Sequence, residues 1–259
     1  MDEPELQALA VRQLADYDRH DPGTAFTGAL DLSIEQAYRV QSLVADLRTR
    51  RGEKIIGWKV GCTSPVIRQR LRVDNPVFAR LFESETWPTG TMLPQSQFAG
   101  LAIEGELAIQ LGSDLAPGVN ESEIASAIEY VFPVIELHNL NFRGEPSAGE
   151  LIANNAIHAG FVFEDSPAAF DPRPARLHIE LEGTELATVE GLELTQTVLD
   201  SLSWLATELP RHGESLEAGQ TVLCGSVADL FPIADPGQLR VTTDRFGSVE
   251  CSFAETACQ

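Results

Sequence analysis

Basic residues are scarce in this chain of 259 residues. It carries 18 lysines and arginines against 39 aspartates and glutamates, so its formal net charge is −21. Nucleic acids and anionic membranes are bound through basic surfaces. The charge balance therefore argues against both as partners, and any anionic ligand would need a local positive site.

Long apolar runs and paired cysteines are also missing. No segment approaches the roughly 18 consecutive apolar residues of a membrane span, and the acidic start does not resemble a signal peptide. A cytoplasmic location is the default expectation. The cysteines form no Cys-x-x-Cys pair, so reduced thiols are expected rather than a zinc knuckle or a disulfide framework. They are Cys62, Cys224, Cys251 and Cys258.

The length and the composition are those of an ordinary globular protein. With 43% hydrophobic residues, the chain can bury a full core as one large domain or as one domain with an appendage. Helical patterns at 4–20 and 33–50 predict a small N-terminal helical unit, residues 1–52, on a core of residues 53–259. The strand and helix patterns of that core predict an α+β fold with a mixed or antiparallel sheet. Residues 74–100 predict loop and short strands that could close over a site.

Two acidic residues interrupt an apolar stretch. Glu104 and Glu106 lie in the run IEGELAI (103–109), and side chains two apart in a strand point to one face of the sheet. Adjacent carboxylates raise each other's pKa and cost folding energy unless a proton or a cation relieves them. Their oxygens suit Mg²⁺ or Mn²⁺. The pattern predicts a site for a divalent cation, and the alternative is an edge strand with an acidic outward face.

A lysine stands in a similar setting. Lys54 and Lys59 are the only lysines, and Lys59 lies in the strand pattern IIGWKVG (55–61). Lysine is almost never fully buried without a partner. Lys59 therefore has buried partners or faces a cleft, where it could hold an anionic substrate or move a proton. The alternative is an ammonium group that reaches the surface from a half-buried strand.

A third carboxylate, Glu136, lies in the apolar run FPVIEL (132–137). Three acids in apolar strand contexts are harder to attribute to chance than one. The histidines His138, His158, His178 and His212 show no His-x-x-x-His or other ligand spacing. A histidine metal site is therefore not predicted.

Several spaced blocks resemble the 2-keto-4-pentenoate hydratase/4-oxalocrotonate decarboxylase family, a branch of the fumarylacetoacetase superfamily. They are GWKVGCTS (57–64), VDNPVFARLF (73–82), IEGELAIQL (103–111), PVIEL (133–137), ELIANNAIHAGFV (150–162), LCGS (223–226) and DRFGSVECSF (244–253). The resemblance runs from about residue 35 to the C-terminus, with the blocks in the family's order. Several blocks in one order are a specific signal.

The resemblance implies a fold, a metal site and an assembly. The implied fold is a rolled, sandwich-like mixed β structure with flanking helices, so that residues 53–259 would be a fumarylacetoacetase-like catalytic domain. Members commonly form homo-oligomers. Glu104 and Glu106 match the family's Glu-x-Glu metal ligands, Glu136 matches its third carboxylate, and Lys59 matches its active-site lysine. The implied cofactor is Mg²⁺ or Mn²⁺.

Three further positions receive candidate roles. Asp74 falls where relatives carry an acidic residue beside the site and is a candidate acid or base. Arg80 could bind a distal substrate carboxylate through its planar fork, with an exposed salt bridge as the alternative. Ser226, in the LCGS block, is a candidate substrate-binding residue.

The chain departs from the family at a few positions. Characterised hydratases resemble it around Asn155 and Ala156 but tend to carry a serine next, where this chain has Ile157 and then His158. The glycine usual after the aromatic residue of the Pro-x-Phe block is Ala79 here. These differences are expected to give the substrate pocket a shape that differs from that of characterised members of the family.

The implied activity is Mg²⁺-dependent hydration of a 2-hydroxy-2,4-dienoate to a 4-hydroxy-2-oxo acid, in the catabolism of aromatic or related compounds. The ligand would be a small anionic 2-oxo acid. A 4-oxalocrotonate-type decarboxylase is the runner-up, because both reactions pass through the same dienolate. The apolar Ile157, Phe161 and Ala79 favour the hydratase, whereas Arg80 favours the decarboxylase.

Two other functions are alternatives. An acylpyruvate-type C–C hydrolase would need a general base for water, for which His158 or His138 could serve. A non-catalytic partner subunit could retain the metal-binding residues without the chemistry.

Overall fold

The structure, a computed structural model, describes residues 1–20, 24–26, 30–142, 144–164 and 168–255. Cys62, Cys224 and Cys251 are free thiols. Cys258, also expected to be a reduced thiol, lies outside the described residues.

Six α-helices form in the described residues. They are α1 (Glu3–Arg19), α2 (Ile34–Arg50), α3 (Pro65–Leu71), α4 (Glu121–Ala127), α5 (Ala148–Ala153) and α6 (Glu193–Glu208). Four of them begin with a reciprocal side-chain cap. At α2, Ser33 Oγ accepts the Gln36 N–H while the Gln36 side chain accepts the Ser33 N–H, as the sequence pattern predicts. Within this part of the chain, no helix is both long and apolar enough to cross a membrane.

The strands of the described residues form two sheets. They are β1 (Ile55–Gly61), β2 (Val77–Phe82), β3 (Thr86–Pro88), β4 (Met92–Pro94), β5 (Leu101–Leu111), β6 (Ile128–Asn139), β7 (His158–Phe163), β8 (Ala175–Leu181), β9 (Thr184–Gly191), β10 (Thr221–Leu223), β11 (Phe231–Pro232), β12 (Gly237–Thr243) and β13 (Ser248–Ala254). The larger sheet has the order β2-β1-β10-β5-β6-β7-β3, with β11 on β5, and the smaller is β4-β13-β12-β8-β9. Each contains parallel and antiparallel pairs. The predicted α+β fold with mixed β structure is confirmed.

Residues 74–100 contain loops and the short strands β2, β3 and β4, as predicted, and all six residues of β2 are buried. Two segments differ from the sequence-based predictions. The strand predicted at 132–137 extends over 128–139, since it pairs along the whole length of β5. The sequence pattern at 147–157 predicts a single helix, whereas α5 ends at Ala153 and the chain continues only as a 3₁₀ turn at Asn155–Ile157.

The larger sheet curls, so that its two faces meet different surroundings. Strand β2, at one end of the sheet, contacts β7 near the other end. The outer face packs into the main core, which includes Trp58, Ile103 and Leu107 together with residues of the smaller sheet and of α6. The inner face holds a separate apolar cluster of Leu81, Ala108, Val134, Phe161 and Leu223.

Gly105 allows β5 to approach the smaller sheet closely. It lies on the outer face, between the two acids of the IEGELAI run. A Cβ atom built there would lie 2.7 Å from Ile179 Cδ1 and 3.1 Å from Val241 Cγ2. A larger residue at 105 would therefore push β5, with both acids, away from the smaller sheet.

The N-terminal helices share the core of the rest of the chain. Helix α1 packs on α2, and α2 packs on α5. Leu6, Ala10 and Val40 belong to the same apolar cluster as the strands of the larger sheet. The division into residues 1–52 and 53–259 stays a prediction.

Candidate metal centre and active site

The pairing of β5 with β6 brings the three acids together. Glu104 lies directly opposite Glu136, and Glu106, two residues along β5, points to the same inner face. Glu106 and Glu136 are buried, with 1% and 0% of their surface exposed, whereas the Glu104 side chain is 20% exposed. The acids thus form a row that begins at an open surface and ends inside the curled sheet.

His138 joins this row. It lies two residues after Glu136 on β6, and its Nε2 is 3.1 Å from Glu104 Oε2 and 3.6 Å from Glu136 Oε2. Single donor atoms of Glu104, Glu136 and His138 all lie within 4.8 Å of one another, so these residues could hold a metal ion. The sequence did not predict His138 as a ligand, because the His-x-x-x-His spacing describes histidines one turn apart on a helix and not a histidine on a strand. The sequence feature that could have identified His138 is its position two residues after Glu136, because residues two apart in a strand point to the same face.

Lys59 is buried with partners and also borders the cavity. Its Nζ lies 2.7 Å from Glu136 Oε1 and donates to the Ala156 carbonyl at 3.3 Å. Burial favours the neutral amine, but the charges of Glu136, Glu104 and Glu106 outweigh it and raise the pKa of Lys59. Lys59 therefore stays a cation at neutral pH.

His158 holds Glu136 from another side. Its Nδ1 lies 2.6 Å from Glu136 Oε1. Burial lowers the pKa of His158, although Glu136 opposes this effect. A neutral imidazole that donates its Nδ1–H to Glu136 fits these contacts. His158 occupies the position that follows the family's usual serine, and the sequence analysis gave it no role with the metal ligands.

The buried acids Glu106 and Glu136 differ in charge state. Burial opposes the charge of Glu136, but Lys59, His138 and His158 hold its pKa well below the ordinary value. Burial and the charges of Glu136 and Glu104 raise the pKa of Glu106 well above its ordinary value. Without a cation, Glu106 is therefore the acid that keeps a proton.

The unpartnered oxygens at this site fit a cation. Glu106 Oε2 accepts the Gly225 N–H at 2.9 Å. Among the described residues, however, Glu106 Oε1 and Glu136 Oε2 are buried and have no N–H donor, so that only a proton on Glu106, shared in a hydrogen bond with Glu136, relieves them in the absence of a cation. Leaving buried carboxylate oxygens without a donor is costly. A divalent cation held by oxygen ligands would satisfy both.

A short left-handed turn places two of the contacts. Asn155, Ala156 and Ile157 have φ angles of 50°, 48° and 58°, which cost free energy in residues other than glycine. The Asn155 side chain ties the turn to β2, because its Oδ1 accepts the Arg80 N–H and its Nδ2 donates to the Arg80 carbonyl, both at 2.9 Å. The turn presents the Ala156 carbonyl to Lys59 and leads into His158.

The site opens into a cavity of about 670 Å³. Lys59, Glu104 and His138 border it on the sheet side, and α3, β9 and the residues around Ser226 border the rest. At its rim, Val66 and Ile67 of α3 are exposed by 72% and 41%. The cavity therefore combines a charged floor with a largely apolar rim.

The predicted role of Arg80 is wrong in this geometry. Arg80 pairs with Trp58 in the β1–β2 ladder, whereas Lys59 pairs with Ala79, so Arg80 and Lys59 point to opposite faces of the sheet. Its guanidinium contacts Gln41 Oε1 at 2.8 Å and Glu214 Oε1 at 2.7 Å. Arg80 thus supports the outer side of the sheet and does not face the cavity.

The remaining predicted residues lie in different places. Asp74 is exposed on the loop between α3 and β2 and is outside the set that lines the cavity, so its role as an acid or base stays a prediction. Ser226 lines the cavity, and its Oγ donates to the Ala228 carbonyl at 3.1 Å. Of the apolar positions, Ile157 borders the cavity, whereas Ala79 is buried and Phe161 belongs to the inner apolar cluster.

Known proteins similar to this chain place it in a family. No family model matches it. The 2-keto-4-pentenoate hydratase of Burkholderia vietnamiensis is 30% identical over 224 residues, which cover 85% of this chain and 86% of that protein. The TodF product hydratase of Pseudomonas putida is 28% identical over 257 residues, with 95% and 96% covered. In fold, the chain is similar to 4-oxalocrotonate decarboxylase from Pseudomonas putida G7 complexed with magnesium and adipate, with a TM-score of 0.90, 24% identity and 98% and 99% covered. The chain therefore belongs to the 2-keto-4-pentenoate hydratase/4-oxalocrotonate decarboxylase family.

Proposed function

We propose that the protein is a divalent-cation-dependent hydro-lyase that adds water to a 2-hydroxy-2,4-dienoate and gives a 4-hydroxy-2-oxo acid. The hydratases among its relatives support this proposal. The observation that carries it is the meeting of three carboxylates and one buried ammonium group on the inner face of the larger sheet, beside the cavity.

The cation would be held by Glu104, Glu106 and Glu136, whose oxygen ligands suit Mg²⁺ or Mn²⁺. When bound, such a cation supplies Lewis-acid polarisation to the carboxylate and the 2-oxo group of a 2-oxo acid. The two unpartnered oxygens of Glu106 and Glu136 support this assignment.

Lys59 would position the substrate and stabilise its developing charge. An ammonium group has three N–H donors, and Lys59 contacts Glu136 and the Ala156 carbonyl. The third donor remains for a carboxylate or enolate oxygen in the cavity that Lys59 borders. Because these contacts fix the ammonium before substrate binds, it stabilises charge without reorganisation.

The charge of the cavity favours a substrate with one carboxylate. Among the described residues that line it, Lys59 is the only lysine or arginine. Arg80, which would have favoured a second carboxylate, points to the other face of the sheet. A 2-hydroxy-2,4-dienoate with an apolar end fits this cavity better than a dicarboxylate, so hydration is favoured over decarboxylation.

The proposed reaction consumes one water and needs no redox partner. Protonation of the dienol at C5 gives an α,β-unsaturated 2-oxo acid. The 2-hydroxyl group loses its proton as C5 gains one, so this step is an isomerisation. Water then forms a bond from its oxygen to C4 and loses one proton, while C3 takes up one proton, so the sum of the two steps is the addition of one water. Lys59 is the cation of this chain that is placed beside the cavity to hold the substrate oxygens while these bonds form.

The test is a spectrophotometric assay with purified protein. Ultraviolet absorbance would follow 2-hydroxypenta-2,4-dienoate and, separately, 2-oxohex-3-enedioate, each with Mg²⁺ or Mn²⁺ and with a chelator. We expect cation-dependent loss of the first compound with formation of the 4-hydroxy-2-oxo acid. Release of CO₂ from the second compound, without hydration of the first, would replace hydration by decarboxylation. Inertness toward both would favour an acylpyruvate hydrolase or a non-catalytic subunit.

A further inference from the structure

We infer that His138 is a nitrogen ligand of the cation, so that this site takes first-row transition metals such as Fe²⁺, Co²⁺ or Zn²⁺ in preference to Mg²⁺. The inference deepens the proposed function and rests on its cation site. With His138 as a ligand, the cation is held by carboxylate oxygens and one imidazole nitrogen instead of by oxygens alone.

The distances around His138 are those of neighbouring ligands on one cation. Metal–nitrogen and metal–oxygen bonds of about 2.1 Å at right angles place two donor atoms about 3.0 Å apart. His138 Nε2 lies 3.1 Å from Glu104 Oε2 and 3.6 Å from Glu136 Oε2. Each separation needs only a small adjustment to reach this value.

The burial of His138 supports a fixed role. The residue is 1% exposed, lies within β6, and points its Nε2 at two carboxylates. Its Nδ1 is buried without a hydrogen-bond partner among the described residues. The approach of Nε2 to Glu104 and Glu136, and not a bond from Nδ1, therefore orients the imidazole toward the acids.

The chemistry of the donor set decides which cations are favoured. Imidazole nitrogen suits Zn²⁺, Fe²⁺, Ni²⁺ and Cu²⁺, whereas carboxylate, carbonyl and water oxygens suit Mg²⁺. Most sites of nitrogen and oxygen ligands already bind Co²⁺ more tightly than Mn²⁺. The informative quantity is therefore the change in selectivity when the imidazole is replaced, and not the selectivity of the native protein alone.

Nitrogen ligation can be tested on the native chain without a variant. The full-length protein would be stripped of metal with a chelator, loaded with Mn²⁺ and studied by pulsed electron paramagnetic resonance without substrate. We expect nitrogen hyperfine couplings of the size found for directly bound imidazole. Mn²⁺ bound without such couplings would show that His138 only donates a hydrogen bond to Glu104, and it would overturn the inference.

Selectivity is tested with His138→Gln, which offers an amide oxygen in place of the imidazole, and with His178→Gln as the matched control. His178 lies on β8 of the smaller sheet, where it contacts Glu180 and Glu185 and is not one of the residues grouped with Glu104 and Glu136. We expect His138→Gln to weaken Co²⁺ binding by about 10- to 100-fold, the range found when groups around a metal are altered, while Mg²⁺ affinity changes by less than about threefold. Equal losses for both cations would contradict the inference.

The two proposals fail in distinguishable ways. Nitrogen coupling without turnover of the dienoate would leave the metal inference standing and remove the proposed hydration. Cation-dependent hydration without nitrogen coupling would support the proposed hydration and overturn the inference that His138 binds the cation.

Discussion

Glu136 is the residue on which the charged contacts of the site converge. Lys59 and His158 contact its Oε1, and His138 lies near its Oε2. These neighbours keep its carboxylate ionised although it is completely buried. At the neighbouring Glu106, burial and the charges of Glu136 and Glu104 outweigh the opposing charge of Lys59 and raise the pKa well above its ordinary value. Replacing the carboxyl group by an amide is therefore expected to have a different effect at Glu136 than at Glu106.

Glu106→Gln should lower the affinity for divalent cations while leaving the fold intact. The amide oxygen can still accept the Gly225 N–H that Glu106 Oε2 accepts now, but the charge that a cation needs is lost. We expect a loss of about 10- to 100-fold or more for Mg²⁺ and Mn²⁺ in calorimetric titrations, by analogy with ligand-shell mutations. Glu129→Gln, an exposed acid on β6, is the control. Unchanged binding in Glu106→Gln would remove Glu106 from the metal site.

Lys59→Met should reduce the catalytic efficiency by about 2–4 kcal/mol, as does the loss of one preorganised electrostatic donor. This corresponds to a fall of about 30- to 900-fold in kcat/KM. The chain offers a matched control in its other lysine, because Lys54 is exposed and pairs only with Glu83 on the surface. Equal activity of Lys54→Met and Lys59→Met, with both proteins folded by circular dichroism, would refute a role for Lys59 in the cavity.

At the scale of elements, the left-handed turn at 155–157 joins β2 to the site. Asn155 makes both of its bonds to the backbone of Arg80, one as acceptor and one as donor, so neither an acid nor an apolar residue can replace it fully. The turn then orients Ala156 and His158 toward the charged row. The positive φ angles of the turn are tolerated because the bonds of Asn155 to Arg80 and the contacts of Ala156 and His158 with the site fix its conformation.

Asn155→Ala should destabilise the protein by about 1–3 kcal/mol, because two backbone groups of Arg80 lose their partner. Asn155→Asp should be no better, since it keeps the acceptor but places a charged oxygen against the Arg80 carbonyl. Urea unfolding monitored by fluorescence measures both values, with Asn75→Ala, at an exposed position before β2, as the control. Free energies of unfolding within about 0.5 kcal/mol of the native value would show that the side chain does not hold the turn.

Periodicity predicted most elements and the acids they carry, because each is a local property. The alternation around Glu104, Glu106 and Glu136 identified strands and an unusual face correctly. The missed features depend on which strands pair and in which register. The register of β1 with β2, after an irregularity between Ile55 and Gly57, sends Arg80 away from Lys59, and no pattern within either strand reveals that.

His138 illustrates the same limit. Its approach to Glu104 requires that β5 and β6 be neighbours and that Ala102 lie opposite His138, which is long-range information. The bounds of strand β2, which was predicted only as one of several short strands within 74–100, were not found for a different reason. Its six residues are buried on both faces, so it lacks the alternation that marks a half-exposed strand.

At the scale of the whole molecule, cation binding and folding should be coupled. The native state gathers three carboxylates that the unfolded chain keeps apart, so a ligand that binds only the native state stabilises it by mass action. At a cation concentration of 100 times Kd, we expect about 2.7 kcal/mol more stability in urea unfolding. In Glu106→Gln, with an affinity 10- to 100-fold lower, the same concentration should add only about 0.4–1.4 kcal/mol. An equal gain in both proteins would indicate general screening of the −21 net charge instead of a specific site.

The assembly of the molecule stays a prediction. The sequence resemblance leads us to expect a homo-oligomer, and the net charge of −21 means that any contact between copies must overcome electrostatic repulsion. Sedimentation at low and high salt would measure both the oligomeric state and its dependence on that repulsion.

The close packing at Gly105 restricts which substitutions the site can accept during evolution. Because its missing Cβ leaves room for Ile179 of the other sheet, the residue between the two acids cannot change by itself, whatever the selection on substrate or metal. A compensatory route exists, since Ile179→Ala removes the two side-chain atoms within 2.9 Å and leaves Val241 Cγ2 at 3.1 Å. In a library of all residues at position 105, selection for cation binding should recover glycine alone in the native background and admit alanine once Ile179→Ala is present.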